Sequence, residues 1–385
     1  MSGHRDAGPT VAVAGLSARW LATSAARAGW GVVALDAFGD ADTRAASRAW
    51  LPIAQGLELD EAQFLSALDQ AHQRHGAVAW LYGSGFENRP EWVARAAARW
   101  PLWGQDADVL RRVRDPEHFF ATLRRLGLPH PATRFTPPDD PQGWIAKSAT
   151  GSGGWHIREA AATDFPDDAY WQRLQPGTPG SALYLADGRR AQVVALNRLL
   201  VEPLGDWPFV YRGAIGPLHD GALEAAIQQA LDALVPAFGL AGLGSLDFIA
   251  TDPGFSLLEI NPRPSASMAL HDGWAGGLLG AHVQALQGQI MPLPPRPKGL
   301  QGERVVWTGS ALTLTAAQAE GLAARGHLHD RPSAGMHFEP GQPLCSVSAS
   351  GDTVDEVLQS LRRREAEVLA ACGAITMHNT HEETL

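Results

Sequence analysis

The segment from Gly239 to Ser267 constrains the fold of this chain more than any other, because it contains a complete candidate β-hairpin. Two apolar runs, Ser245 to Ala250 and Phe255 to Ile260, flank the turn-forming sequence Asp252-Pro253-Gly254. Runs of this length on either side of such a turn predict two antiparallel strands. We therefore expect an antiparallel sheet that includes this hairpin.

Polar side chains stand two positions apart at the end of the second predicted strand. Because successive side chains point to opposite faces of a strand, Leu257, Glu259 and Asn261 are predicted to share one face. A turn of odd length would also place Asp247 opposite Glu259. The hairpin therefore predicts three oxygen-bearing side chains, Asp247, Glu259 and Asn261, at one place on the sheet.

This oxygen cluster has two interpretations. Carboxylate and amide oxygens suit Mg²⁺, which keeps bound waters and takes phosphate oxygens as further ligands. Arg263, two residues beyond Asn261, could then make a forked contact with a phosphate. The alternative is an amphipathic hairpin with one wet polar face, which is common in antiparallel sheets. The hairpin alone leaves both interpretations open.

The order of residues in this hairpin resembles the metal-binding hairpin of the ATP-grasp superfamily, whose enzymes join a carboxylate to an amine. The similar stretch is an Asp-Phe-Ile strand, a short turn, and then Leu-Leu-Glu-Ile-Asn-Pro-Arg-Pro-Ser. The resemblance implies that Asp247, Glu259 and Asn261 hold the Mg²⁺ ions that bridge the phosphates of ATP. It also implies that Arg263 steadies the transferring phosphoryl group, in one catalytic centre with Asn261 and Lys147.

The composition argues against several classes of partner. A net charge of -10 and a pI near 5.8 do not fit a nucleic-acid footprint or an anionic membrane surface, both of which favour basic patches. We find no signal peptide and no apolar run of membrane-spanning length, and only two cysteines, Cys345 and Cys372. We therefore expect a reduced, cytoplasmic protein that acts on small molecules, with Cys345 as a structural residue in a strand.

The amino-terminal residues predict a parallel sheet. Thr10 to Gly15, Ser17 to Gly29 and Gly31 to Asp36 have the patterns of a strand, a helix and a strand. Asp36 stands where a dinucleotide-binding fingerprint has its acidic residue, but the second and third glycines are missing, which argues against NAD. Arg19 is a candidate ligand for a substrate carboxylate, and the alternative is a solvated arginine on the helix.

A further strand, Ala77 to Tyr82, runs into Gly83-Ser84-Gly85-Phe86-Glu87. Glycines at the carboxyl end of a strand allow close approach of a ligand, and Glu87 could neutralise a substrate ammonium group. The alternative is a capping box formed by Ser84 and Glu87 at the start of a helix. The sequence leaves both open.

One of the two lysines of the chain lies directly before a glycine-rich loop. A predicted strand, Trp144 to Lys147, is followed by a loop that contains Ser152, Gly153 and Gly154. Backbone amides in such a loop can hold phosphates, and Lys147 adds a point charge. Only Lys147 and Lys298 are lysines among the 31 basic residues, so a lysine at this position is informative. The alternative is a flexible surface hairpin.

The ATP-grasp resemblance extends this interpretation along the chain. It implies that the lysine strand and the glycine loop belong to a mobile lid over the triphosphate, at about residues 132–205, completed by a hairpin between Ser181 and Asn197. It also implies that Gln172, Arg173 and Leu174 contact the ribose and adenine of ATP. Before the lid, helical spacing runs from Asp108 to Gly127.

Three further polar residues are singled out. Arg212 could reach an acyl phosphate, or form a surface salt bridge. Ser265 is a candidate substrate contact. His282, in a helix predicted from Met268 to Gly288, is interpreted as a packed histidine because no second metal-binding residue accompanies it.

Together these features predict an α/β protein with the ATP-grasp fold, and 385 residues suffice for two or three domains. Residues 1–104 would form a Rossmann-like, doubly wound parallel-sheet domain that binds substrate. Residues 105–300 would form the ATP-grasp domain, with an antiparallel-sheet core and the α+β lid. Residues 301–385 would form a small β-rich lobe similar to that of biotin-carboxylase-like members.

The expected activity is ATP- and Mg²⁺-dependent formation of an amide from a carboxylate and an amine through an acyl phosphate. A finer suggestion from the resemblance is the addition of an amino acid such as glutamate during assembly of a one-carbon-carrier cofactor. The alternatives are a small-molecule kinase on the same fold and a non-catalytic ATP-binding sensor. The oligomeric state is open, with a homodimer among the candidates.

Overall fold

The computed structural model describes residues 8–162 and 165–375. The elements of its first part are β1 (Thr10–Ala14), α1 (Arg19–Arg27), β2 (Gly31–Asp36), α2 (Ala41–Ala45), β3 (Ala49–Pro52), β4 (Ala54–Gln55), β5 (Glu58–Leu59), α3 (Glu61–His75), β6 (Ala79–Tyr82) and α4 (Pro90–Ala97). Four parallel strands lie in the order β3-β2-β1-β6. Alternate residues of β1 pack on opposite faces, since Val11 and Val13 lie with α1, and Ala12 and Ala14 with α3. The predicted parallel sheet is confirmed.

The loop between β1 and α1 is held together by buried hydrogen bonds. Asp36 is fully buried and accepts hydrogen bonds from the Ala18 and Gly39 N–H groups and from the Trp50 indole. The Leu16 N–H is bound to the Ser84 carbonyl. Asp36 therefore holds the loop together through both of its carboxylate oxygens.

The next elements are α5 (Ala107–Arg114), α6 (Pro116–Leu126), β7 (Thr133–Arg134), β8 (Trp144–Ser148), β9 (Ile157–Glu159) and β10 (Ala169–Arg173). The single helical pattern predicted here is two helices. Pro116 has no N–H to continue α5, and Asp115 caps α6 by accepting from the Glu117 and His118 N–H groups. The break leaves Arg114 as the last residue of α5.

The remaining elements are β11 (Thr178–Asp187), β12 (Ala191–Leu204), β13 (Trp207–Leu218), α7 (Gly221–Phe238), β14 (Ala241–Ala250), β15 (Phe255–Asn261), a 3-10 helix (Ala266–Leu270), α8 (Leu278–Leu286), β16 (Leu300–Trp307), β17 (Leu312–Thr313), α9 (Ala316–Ala323), β18 (Leu328–His329), β19 (His337–Phe338), β20 (Pro343–Gly351) and α10 (Val354–Cys372). Thr353 and Glu356 form a capping box at the start of α10.

Two antiparallel sheets follow the parallel one. The small sheet has the order β7-β10-β8-β9, and the large sheet has the order β15-β14-β11-β12-β13-β16-β20-β18. The hairpin predicted to complete the lid is therefore part of the core, because β11 pairs with β14 and β12 with β13. The carboxyl-terminal strands β16, β20 and β18 continue the same sheet, and Cys345, a residue of β20, is buried in the core of this part.

Helices cover both faces of the large sheet. Leu231 and Leu234 of α7 pack with Leu246 and Phe248 on one face. On the other face, α8 packs in a cluster that also contains residues of α1, so α8 lies between the large sheet and the amino-terminal domain. No helix in the part of the chain that the structure describes has the length and apolar character needed to cross a membrane.

In the central hairpin the predicted residues face each other, but the turn length and the strand register differ from the prediction. Asp247 lies directly opposite Glu259. The turn, however, contains the four residues 251–254, and an extra residue in β15, Leu258, shifts the register between Asp247 and Phe248. The prediction that Leu257 shares the face of Glu259 is therefore wrong, because the bulge turns Leu257 into the core beside Ile260.

Candidate active site

The β14–β15 hairpin brings the three predicted metal ligands together. The Asn261 amide nitrogen donates to Asp247 Oδ2 and to Glu259 Oε1, each at 3.1 Å. Partial burial and the charge of Glu259 raise the pKa of Asp247 well above its ordinary value. Partial burial would raise the pKa of Glu259 as well, but the positive charges of Arg114 and Lys147 outweigh this and lower it. The two facing carboxyl groups thus have pKa values shifted in opposite directions.

Lys147 lies within electrostatic reach of these two carboxyl groups. It is buried in β8, and its ammonium donates to Gln172 Oε1 at 2.7 Å. Burial lowers the pKa of Lys147 to about 8, although the carboxylates of Glu259 and Asp247 act against the fall. A buried ammonium with one neutral partner is well placed to bind an anion.

The glycine loop, residues 149–156, is packed against the core sheet. The Gly153 carbonyl accepts from the Tyr211 N–H at 3.0 Å. A side chain at Gly154 would stand 1.8 Å from the Phe209 carbonyl oxygen, so only glycine allows this approach. Among the described residues, the N–H groups of Ser152, Gly153 and Gly154 form no hydrogen bond, which leaves three amides for a ligand. The loop is thus a docked segment, unlike the flexible hairpin that was the alternative.

Arg114 is a residue of this site that the sequence analysis missed. Its guanidinium donates to the carbonyls of Ala149 at 3.1 Å and Gly151 at 2.9 Å, and another nitrogen lies 3.5 Å from Glu259 Oε2. Arg114 therefore links the glycine loop to the acidic pair. The signal in the sequence was Pro116, which ends a helix and so places Arg114 at a helix terminus.

Arg263 and Glu87 form a buried ion pair at the other side of the acidic pair. Arg263 Nη2 lies 2.5 Å from Glu87 Oε1 and 3.3 Å from Asn261 Oδ1, while its Nε has no partner. Of the two interpretations of Glu87, the capping box with Ser84 is wrong, because α4 begins at Pro90 with Arg89 as its N-cap. Glu87 instead accepts from the Gly85 N–H at 2.7 Å.

The predicted adenine segment lies at the end of β10. Both ends of the Gln172 amide are used within the chain, since Nε2 donates to Thr133 at 3.2 Å and Oε1 accepts from Lys147. The N–H groups of Arg173 and Leu174 are bound to the Ala132 and Gly143 carbonyls. The Leu174 side chain is 46 % exposed and is the apolar surface that this segment offers to a flat ligand.

Three other candidates have partners within the protein. Arg19 is buried and bound to Glu303 at 2.5 Å and Asp330 at 2.7 Å, so it is not a solvated helix arginine. Arg212 is bound to Glu365 of α10, and this salt bridge is buried, not on the surface. Ser265 is buried, with its hydroxyl 3.1 Å from that of Ser267.

His282 is packed within the fold, in agreement with the sequence interpretation. Its Nδ1 accepts from the Leu243 N–H at 2.8 Å, and its Nε2 donates to the Trp103 carbonyl at 3.1 Å. Burial lowers the pKa of His282 to about 4. The residue joins α8, β14 and the amino-terminal domain.

The architecture is that of an ATP-grasp fold, as predicted. It consists of a parallel-sheet domain, a small sheet with a buried lysine and a glycine loop, and a large antiparallel sheet with an acidic hairpin. Residues 113–267 match the family model of the ATP-grasp domain. Residues 113–267 therefore form an ATP-grasp domain. No curated protein sequence matches it.

Solved structures share this fold over nearly the whole chain. One is the biotin carboxylase domain of a single-chain bacterial carboxylase (19% identity, 96% of this chain and 90% of that chain, TM-score 0.67). Another is the biotin carboxylase domain of Hydrogenobacter thermophilus 2-oxoglutarate carboxylase, in complex with MgADP, ADP and bicarbonate (13%, 95%, 91%, TM-score 0.70). A third is N5-carboxyaminoimidazole ribonucleotide synthetase from Thermotoga maritima (12%, 93%, 98%, TM-score 0.63).

Proposed function

We propose that the protein is an ADP-forming ligase that uses ATP and Mg²⁺ to join a carboxylate to an amine through an acyl phosphate. The observation that carries the proposal is the convergence of Lys147, the Asp247–Glu259 pair and Arg263 around one glycine loop with free amides. Each of these groups is suited to a phosphate or to the cation that accompanies it.

The donor set fits Mg²⁺. The polar atoms of these side chains are oxygens and one amide nitrogen, in Asp247, Glu259 and Asn261. The Asn261 amide donates a hydrogen bond to each of the two carboxylates, which holds them close together. No group of three or more His, Cys, Asp or Glu side chains that could hold a metal occurs in residues 8–162 and 165–375, so a cation here would need phosphate oxygens or water to complete its shell. When bound, Mg²⁺ would neutralise charge on the phosphates.

The side chains of this chain would bind and orient the nucleotide. The amides of Ser152, Gly153 and Gly154 and the Lys147 ammonium would hold the β- and γ-phosphates, and Leu174 would cover the base. The charge of the Arg263 guanidinium, which lies beside Asn261, would stabilise the phosphoryl group in transit. A substrate carboxylate oxygen attacks the γ-phosphorus and ADP leaves; the amine nitrogen then attacks the acyl carbon, loses a proton, and inorganic phosphate leaves.

The substrates are proposed by class. The Hydrogenobacter domain of the same fold was solved with bicarbonate, so bicarbonate belongs among the carboxylates to be tested. The resemblance to amino-acid-adding ligases makes glutamate the first amine to be tested, with other amino acids beside it.

The test is ADP release by the purified protein with Mg-ATP, across carboxylates paired with amines. We expect ADP and phosphate to appear in equal amounts, only when both substrates are present, with the amide detected by mass spectrometry. A phosphorylated product formed without an amine would show that the protein is a kinase and not a ligase. Nucleotide binding without ADP release under any pairing would favour a sensor and contradict the proposal.

A further inference from the structure

Two neighbouring residues of the amino-terminal domain reach different parts of the candidate active site. Glu87 and Asn88 lie in the turn between β6 and α4. Glu87 contacts Arg263, which follows β15 of the large sheet, and Asn88 contacts the glycine loop. One turn of the parallel-sheet domain thus touches the groups on both sides of the triphosphate position.

Glu87 sets the direction of the Arg263 guanidinium. Its side chain is 1% exposed, and its two oxygens are used by Arg263 at 2.5 Å and by the Gly85 N–H at 2.7 Å. Burial would raise the pKa of Glu87, but the Arg263 charge outweighs this and lowers it, so the carboxylate stays ionised. Arg263 Nη2 is shared between Glu87 and Asn261, Nη1 lies 3.5 Å from the Pro264 carbonyl, and Nε is buried without a partner. The ion pair therefore fixes the direction of the guanidinium beside the acidic pair.

Asn88 holds the glycine loop from the opposite domain. Its amide nitrogen donates to the Thr150 carbonyl at 2.6 Å and lies 3.4 Å from the Gly151 carbonyl, which also accepts from Arg114. These contacts bind carbonyls at the start of the loop and leave the amides at its tip unused. Asn88 therefore stabilises the closed position of the loop without competing for the phosphate-binding groups.

We propose that Glu87 and Asn88 are positioning residues through which the amino-terminal domain acts on the phosphoryl step, Glu87 by aiming Arg263 and Asn88 by holding the glycine loop closed. The inference rests on the proposed function for its kinetic part only. Simple adhesion between domains is a weaker explanation of the Glu87 pair, since the cost of removing two charges from water cancels most of the stability that a buried ion pair supplies.

The Glu87 part is tested with Glu87→Gln, which keeps the size of the side chain but removes the charge that orients Arg263. We expect kcat for ADP release to fall about tenfold or more and KM for ATP to change less than about threefold. Glu87→Asp, which keeps the charge, should recover part of kcat. The control is Glu224→Gln, which removes the partly exposed acidic partner of another arginine, Arg296, away from the site.

The Asn88 part is tested with Asn88→Ala and Asn88→Asp, both of which remove the donor. We expect amide hydrogen exchange to rise about tenfold without nucleotide at Ala149, Thr150 and Gly151, whose N–H groups are hydrogen-bonded, and at Tyr211, whose N–H donates to the Gly153 carbonyl. The difference should shrink under saturating Mg-ATP. KM for ATP should rise about fivefold or more with kcat nearly unchanged. The matched control is Gln228→Ala, which removes an amide that donates to the Ala191 carbonyl at 3.0 Å elsewhere in the fold.

Equal exchange in wild type and Asn88→Ala would overturn the loop-holding role. A Glu87→Gln protein that loses stability yet keeps kcat would show that the ion pair only joins domains, which overturns the aiming role. If wild type releases no ADP with any substrate pair, the proposed function fails, while the exchange measurement still decides whether Asn88 holds the loop.

Discussion

Replacing Lys147 by methionine should have opposite effects on nucleotide binding and on the fold. The ammonium is buried and its pKa is lowered to about 8, so at neutral pH the protein keeps a charge that the fold itself disfavours. At about 1.4 kcal/mol per pKa unit, that fall from the ordinary value corresponds to about 3 kcal/mol. A bound triphosphate would compensate this cost, because it supplies the opposite charge.

The stability of Lys147→Met follows from two terms. Removing the ammonium relieves about 3 kcal/mol below pH 8. It also leaves Gln172 Oε1 buried without a donor, at a cost of about 1 to 3 kcal/mol. We therefore expect the variant to be as stable as wild type, or up to about 2 kcal/mol more stable, at neutral pH. The advantage should fade as the pH rises from 8 towards the ordinary lysine pKa, because the wild-type lysine then loses its proton in the folded state.

Affinity for Mg-ATP should fall in the same variant. Loss of one charge-assisted contact is worth about 1.5 to 3 kcal/mol, which is tenfold or more in Kd. Lys147→Arg should lose a similar amount, because a guanidinium is too broad for the place of a slender ammonium. Lys298→Arg, in the proline-rich segment 291–298, is the matched control and should bind as wild type does.

The assays are urea unfolding followed by circular dichroism at neutral and alkaline pH, and titration calorimetry with Mg-ATP. A Lys147→Met protein destabilised by more than about 2 kcal/mol would show that the lysine stabilises the fold, against the burial argument. Unchanged affinity in both Lys147 variants would remove this residue from the nucleotide site.

Three further outcomes are expected. Glu259→Gln should abolish Mg²⁺-dependent ADP release while the melting curve is retained, because it removes the charge of a proposed metal ligand at a partly exposed position. Near-normal ADP release by this variant would disprove the metal assignment. Protease cleavage near the exposed Ser152 should slow under saturating Mg-ATP, and equal rates with and without nucleotide would argue against a closing lid. Burial lowers the pKa of His282 to about 4, so the neutral histidine is fully compatible with the fold above about pH 6.5, and stability is lost as the pH falls below that value. Urea unfolding should show a loss of about 2.5 kcal/mol in the free energy of unfolding between pH 6.5 and about pH 4.5, and this loss should be missing in His282→Gln. Parallel pH profiles of the two proteins would refute this.

The sequence determined the parts of this protein whose pattern is local. Strand alternation and a turn placed Asp247, Glu259 and Asn261 together, and the position of Lys147 directly before the glycines predicted a lysine beside the glycine loop. These features depend on residues a few positions apart, where backbone geometry alone decides which side chains meet. Even there the register was reached through a bulge at Leu258, which an alternation pattern does not reveal.

The tertiary structure decided which distant charges meet. Glu87 and Arg263 are separated by 176 positions, and Arg19 meets Asp330 across 311 positions. Arg114 joins the site because a helix ends where α5 packs beside the glycine loop. An arginine in a sequence predicts a charged contact but not its partner, because the partner is set by how domains pack and by which buried charges must be neutralised together.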